Sequence, residues 1–355
     1  MTDLFLSAED LTPERLSAVL GGTVRTVDVE RIGTGQIALC YRLVLTGDDV
    51  PSSLVAKLPS PDPATRRMLA GAYRGEARFY SDIEPSVAVR TPTCYHVASG
   101  EDGEFTLLLE DAAPALPGDQ LAGCTVDEAH DAVRNLAGLH GPRWCAPDLH
   151  ESDWLTTTDA EQARILAELY GPAIETFLDG LGDLIGADDR DTLRACAELT
   201  EEWVLARSDR FALLHGDYRL DNLLFPPGGE SGVVAVDWQT LTVGLPARDL
   251  AYFVGTSLEP TVRREHEQEL VSTYHRALLC HGVEGYGLQQ CWDDYRFAML
   301  QGPLVAVFGC AYGTRTDRGD RMFAVMVERS CAAIRELDSL TVVSESIGRR
   351  DRSVG

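Results

Sequence analysis

The texture of this 355-residue chain changes once, near Asp111. Upstream lie the runs VRTVDVERI (24–32), IALCYRLVL (37–45), SLVAKL (53–58), CYHVAS (94–99) and EFTLLLE (104–110). They are rich in β-branched and aliphatic residues and punctuated by glycine, the pattern of short strands joined by turns. Downstream, helical periods dominate over 125–140, 159–182, 188–208, 261–281, 287–310 and 318–338. Only FALLHGDYRLDNLLF (211–225) and GVVAVDW (232–238) break them with short apolar runs. Within the β-rich part, Thr12-Pro13 reads as a helix start and Gly21-Gly22 as its stop. Met68, Leu69, Tyr73, Ala77 and Tyr80 mark one amphipathic helix over 62–82. The expectation is an α+β fold of two lobes: a β-rich lobe over 1–111, a helical lobe over 112–343, and a flexible tail over 344–355.

Composition excludes some functions. A formal charge of −25 opposes a polyanion, so no nucleic-acid partner is expected. The nine cysteines form no C-x-x-C pair, which argues for reduced, packed thiols rather than a zinc module or a disulfide framework. The start MTDLFLSAEDLTPERL is acidic and lacks the apolar core of a signal peptide. GPLVAVFGCAYG is too short to span a bilayer, so no membrane association is expected and the chain is read as cytoplasmic.

The chemistry concentrates in HGDYRLDN and VDWQ. Asp217 and Asn222 stand five apart, and Asp237 ends an apolar run. Two carboxylates and an amide oxygen are hard ligands that suit Mg²⁺, an ion that keeps most of its positions for water and phosphate. D-x-x-x-x-N is also the catalytic-loop spacing of protein kinases. With His-Gly-Asp for His-Arg-Asp and Asp-Trp-Gln for Asp-Phe-Gly, residues 24–340 resemble the aminoglycoside phosphotransferase family, with its choline-kinase-like and ecdysteroid-kinase-like relatives. That resemblance implies a two-lobed protein-kinase-like fold. It also implies Asp217 as the group that orients and deprotonates an acceptor hydroxyl, with Asn222 and Asp237 on Mg²⁺.

Lys57 is the sole lysine among 31 basic residues. A slim ammonium enters spaces that a guanidinium fork cannot, although a strand lysine can also simply cover apolar surface. By the resemblance, Lys57 holds the donor's phosphates and Glu76, on the following helix, fixes it. Gly33 and Gly35, in RIGTGQIALCYRL, fall where a phosphate-covering loop is expected, with Ala38 in place of a third glycine. LLLEDA resembles the hinge, so backbone groups around Glu110 and Ala112 are expected to meet the base. Glu110 and Asp111 are equally suited to capping the linker, and ATP is not distinguished from GTP.

Arg219, two residues after Asp217, either neutralises charge on the transferred phosphoryl group or braces the loop against Asp221 or Asp249. His215 and His140 read as packed anchors, and Arg248 and Asp249 as supports of the catalytic loop. Trp292, Asp293, Asp294 and Tyr295 are offered as an acceptor-binding group, or else as ordinary helix surface and core. The expected activity is transfer of a γ-phosphoryl group from ATP or GTP to a small hydroxylated molecule. The alternatives are a nucleotide-binding protein without turnover and a metal-dependent hydrolase built on His215, Asp217 and Asp237. Oligomeric state is not legible.

Overall fold

The computed structural model describes residues 4–33 and 37–353. The chain forms two compact units. The first comprises Met1–Ser86, Arg90–Ala115 and Val236–Leu241; the second comprises Val87–Val89, Leu116–Ala235 and Thr242–Gly355. The fold is α+β, with an antiparallel sheet in the first unit and a mostly helical second unit.

In the first unit, α1 (Pro13–Leu20) starts where Thr12 accepts a bond from the Arg15 N–H and stops at Gly21, whose φ of 74° suits a residue without a Cβ. Five strands follow: β1 (Thr23–Ile32), β2 (Leu39–Asp48), β3 (Ser53–Leu58), β4 (Cys94–Ser99) and β5 (Phe105–Glu110). They pair in the order β1-β2-β3-β5-β4, so β3 lies at the centre of the sheet. Alternation then separates its side chains. Leu54, Ala56 and Leu58 join a core with Phe5, Leu11, Leu16, Leu43, Leu45 and Leu108, while Lys57 points to the other face.

That other face is covered by α2 (Pro63–Met68), α3 (Ala70–Arg78) and a π turn over Phe79–Ile83. The single helix expected over 62–82 is therefore broken twice. At Leu69 the backbone leaves helical geometry (φ −92°, ψ 4°), and the wider π turn carries Phe79 and Tyr80 into the core. Tyr73 stacks on Phe105 of β5 at 4.4 Å between ring centroids, and Phe79 stacks on Trp238 at 3.7 Å. These stacks fix α3 on the sheet and hold the 236–241 segment within the unit.

The second unit packs α4 (Val126–His140) on a later helix, Pro260–Cys280, and α5 (Ala160–Leu181) on α6 (Ala187–Leu205). After α6 in sequence, short strands brace the loop 215–222. Numbering β6 as Leu116–Pro117, these are β7 (Ala212–Leu214), β8 (Leu223–Phe225), β9 (Val234–Ala235) and β10 (Thr242–Gly244). β7 pairs with β10, and β8 pairs with both β6 and β9, so the loop 215–222 is anchored where it begins and where it ends. Next come α7 (Ala247–Ser257), α8 (Pro260–Cys280), α9 (Leu288–Phe297), α10 (Gln301–Tyr312), α11 (Asp317–Glu336) and α12 (Ser339–Ser353).

Three expectations need correction here. The 287–310 helix is two helices joined by a 3-10 turn at Ala298–Leu300; Pro303 sits in the first turn of α10, where its missing N–H is not needed. Helix α7 has no counterpart among the predicted helices. The 344–355 segment is not a loose tail as far as Ser353, because α12 runs through it. Val343 is buried and Ser346 accepts a bond from Arg207, which ties α12 down. Among the described residues, no helix is long and apolar enough to cross a membrane.

Candidate active site

In the first unit, Lys57 faces α3 from the centre of the sheet, 9% exposed. Its Nζ lies 2.7 Å from the carboxylate of Glu76, itself 1% exposed, and 2.9 Å from Oδ1 of Asp237. Gln239 Nε2 donates to the second Glu76 oxygen at 3.2 Å. Burial works against a charged amine, but the Glu76 and Asp237 carboxylates outweigh it and hold Lys57 protonated above its ordinary range. Burial raises Glu76 above the usual carboxylate value, against the pull of Lys57. Cys40 is the cross-strand neighbour of Lys57; burial raises its thiol, which is packed and not activated. Asp237 has a φ of 70°, a left-handed backbone that is unusual for a residue with a Cβ and is characteristic of constrained functional positions.

The linker residues sort clearly. Glu110 is engaged throughout: its N–H bonds to Thr93 O at 2.8 Å, and its carboxylate takes Arg90, the Thr93 N–H and the Thr93 hydroxyl. Asp111 binds Arg42 and Ser53. Both acids are therefore structural ties of the linker, and Glu110 has no N–H to give to a base. The Ala112 carbonyl accepts from Ala115, while its N–H has no partner among the described residues. Gly33, with a φ of 69°, ends β1 in the conformation that favours glycine. Gly35 lies outside the described residues.

In the second unit, Asp217 is held by three side chains. Arg219 Nε lies 3.0 and 3.1 Å from its two oxygens, Tyr252 OH donates to Oδ1 at 2.8 Å, and Asn222 Nδ2 donates to Oδ2 at 2.9 Å. Arg219 also reaches Asp221 at 3.0 Å. Its guanidinium is charged well beyond its ordinary range: burial opposes this, and Asp217 and Asp221 overcome it. Of the two roles expected for Arg219, the bracing one has these bonds; the partner is Asp221, not Asp249.

Asp249 has another task. Its carboxylate accepts the backbone N–H groups of His215 (2.7 Å) and Gly216 (3.1 Å), and it lies 3.4 Å from His140 Nε2. His140 in turn meets Tyr274 OH at 2.7 Å. Gly216, with a φ of 79°, makes the sharp bend that turns both N–H groups toward Asp249. Arg248 is half-buried, lies over the Trp203 ring at 4.5 Å and gives one bond to Val204 O; desolvation of its guanidinium pushes it down to about 10. Replacing Asp249 by alanine strands the buried His215 N–H and the part-buried Gly216 N–H, at about 1–3 kcal/mol each. A loss of about 3 kcal/mol or more in denaturant unfolding is the expected result, together with loss of turnover.

Within the 292–295 group, Asp294 and Tyr295 are committed to internal bonds. Asp294 is buried and takes Arg207, Arg210 and Tyr286, while Tyr295 OH donates to Glu267. Tyr252 is the site residue that sequence reasoning missed. Its one available signal was its place three residues after Asp249, which puts both on one face of a helix.

The match to a family model extends over residues 36–282, the greater part of the chain. The chain belongs to the ecdysteroid kinase-like family. Solved kinase-like proteins share the fold of this ecdysteroid kinase-like chain. A choline kinase from Cryptosporidium parvum aligns with TM-score 0.55 and 11% identity, over 89% of this chain and 91% of that one. A GDP complex of aminoglycoside 2'-phosphotransferase-IIIa aligns with TM-score 0.50 and 15% identity, over 92% and 94%. A microcompartment-associated aminopropanol kinase aligns with TM-score 0.50 and 17% identity, over 89% and 94%. Among curated proteins, 91 residues are 35% identical to acyl-CoA dehydrogenase family member 11 of Gallus gallus, which is 21% of this chain and 11% of that protein. The match therefore spans about a tenth of that longer relative.

Among the described residues, no group of three or more His, Cys, Asp or Glu side chains is arranged to hold a metal ion. A divalent cation of the Mg²⁺ class asks for less, since a few hard oxygens suffice when phosphate and water supply the rest. Asn222, with its Nδ2 on Asp217, keeps Oδ1 as an acceptor, and Asp237 brings an anionic oxygen to a group of one cation and two carboxylates. Each is, within its own unit, a hard oxygen of the kind such an ion accepts.

Proposed function

We propose that this ecdysteroid kinase-like chain transfers the γ-phosphoryl group of ATP or GTP to a hydroxyl of a small molecule. The observation that carries the reading is the buried Lys57–Glu76 pair, 2.7 Å apart, completed by Asp237. A lone cation held between two carboxylates is preorganised for the anionic oxygens of a nucleotide. In the second unit, Asp217 accepts the proton of the acceptor hydroxyl as its oxygen forms the new P–O bond. The bond between the γ-phosphorus and the bridging oxygen of the leaving nucleoside diphosphate breaks, and its electron pair stays on that bridging oxygen. Asn222 and Asp237 would hold Mg²⁺, which supplies charge neutralisation on the phosphates. Ala112 is the linker residue whose N–H is suited to meet the base, and Arg219 braces the loop through its bonds to Asp217 and Asp221.

The acceptor is a small alcohol. The kinase-like neighbours are, by their own descriptions, enzymes of choline, aminoglycoside and aminopropanol, and for this chain the acceptor class extends no further than a hydroxylated small molecule. Thermal unfolding with and without nucleotide and Mg²⁺ provides a first test. At a nucleotide concentration of 100 times Kd, the folded state gains about 2.7 kcal/mol, and the midpoint rises in wild type but not in Lys57→Ala. A Lys57→Ala protein that keeps its turnover would favour the hydrolase reading. Nucleotide binding without transfer to any compound would favour a sensor.

A further inference from the structure

We propose that Tyr252 is a positioning residue, one that sets the orientation of the Asp217 carboxylate. The proposal rests on the kinase reading above and adds a residue to it. Tyr252 OH donates to Asp217 Oδ1 at 2.8 Å from a side chain that is 1% exposed. The other donors do not select an orientation as it does. Arg219 Nε is shared between both oxygens at nearly equal distances, so it holds the charge without distinguishing one oxygen from the other. Asn222 holds Oδ2 and is also assigned to the metal. Among the described residues, Tyr252 alone gives Oδ1 a donor that has no second task at the site.

The helix beneath it makes this marking rigid. α7 is buried along almost its whole length and packs against α9, α10 and α11. From one face it holds the catalytic loop twice: Asp249 takes the His215 and Gly216 N–H groups, and Tyr252, three residues on, takes the carboxylate of the next residue, Asp217. Backbone and reacting group are thus referenced to the same element. Burial and the neighbouring Asp217 charge raise the phenol well above its ordinary value, so it remains a neutral donor.

Tyr252→Phe tests this, because it keeps the ring and its volume and removes only the O–H. The full chain is assayed with ATP, Mg²⁺ and the hydroxylated compound that a metabolite panel identifies, and the variant is crystallised. The expected result is a fall in kcat of about 10- to 100-fold, as for a reacting group displaced by a fraction of an ångström. The nucleotide KM and melting temperature stay unchanged, and the Asp217 carboxylate is turned in the crystal. A purely structural tyrosine would lower the melting temperature and leave the carboxylate in place. An unturned carboxylate overturns the proposal whatever happens to kcat, and so does an unchanged kcat. Failure of the wild type to phosphorylate any compound would overturn the kinase reading instead; the orientation of Asp217 in the variant then decides the role of Tyr252 alone.

Discussion

Lys57→Ala is expected to abolish nucleotide-dependent turnover and to destabilise the first unit by about 3–5 kcal/mol, the cost of removing one partner from a buried ion pair. The variant leaves Glu76 and Asp237 as two carboxylates without the cation that separates them. Lys57→Arg is not expected to restore activity, since a planar fork does not fit where a single ammonium touches two carboxylates at 2.7 and 2.9 Å. Combining Lys57→Met with Glu76→Gln removes the charge together with its buried partner, and should recover most of the stability with none of the activity. That split separates the pair's structural role from its chemical one.

Acidity sharpens the same test. Burial already raises Glu76 in the folded protein against the pull of Lys57. Without Lys57 that pull is gone and the folded-state value climbs further, so the folded chain binds a proton that the unfolded chain releases. Stability is then lost as pH rises through the folded-state value. The deficit of Lys57→Ala should be smaller near pH ~5 than near pH ~8, as read by denaturant unfolding at each pH.

Asp217→Asn carries the second large effect. A general base contributes about 10²- to 10⁴-fold, and a fall of that size in kcat is expected, with nucleotide affinity unchanged. The geometry gives the reason. Asp217 accepts donors on both oxygens from Arg219, Tyr252 and Asn222, and an asparagine replaces one acceptor oxygen with a donor that faces other donors. Arg219 keeps Asp221 as a partner, so the loop is expected to stay folded. Loss of nucleotide binding in this variant would contradict the assignment of Asp217 to the acceptor hydroxyl.

What the sequence displayed and what it hid follow from physical causes. The five strands were legible because each carries the β-branched, aliphatic texture of a sheet, and Gly33, Gly47 and Gly100 mark the ends of three of them. Lys57 stood out by residue type, and Asp217 and Asn222 by spacing. Helix α7 was hidden because it is only 11 residues long and starts after Pro246 without a capping side chain to mark its beginning. Tyr252 was hidden with it. The grouping of Asp237 with the first unit was also illegible, since stacking of Trp238 on Phe79 joins residues far apart in the chain. Glu110 drew attention by its place at the linker, while its partners Thr93 and Arg90 were not legible there because they lie far from it in the sequence.

The most direct measurement follows the γ-phosphoryl group itself. Wild type, Lys57→Ala and Asp217→Asn are incubated with γ-labelled ATP or GTP, Mg²⁺ and a panel of small hydroxylated metabolites, and the products are separated by mass. Label is expected in a phosphate ester of one compound class with wild type, and in neither variant. Label confined to inorganic phosphate, or ester formation that survives both substitutions, would contradict the account.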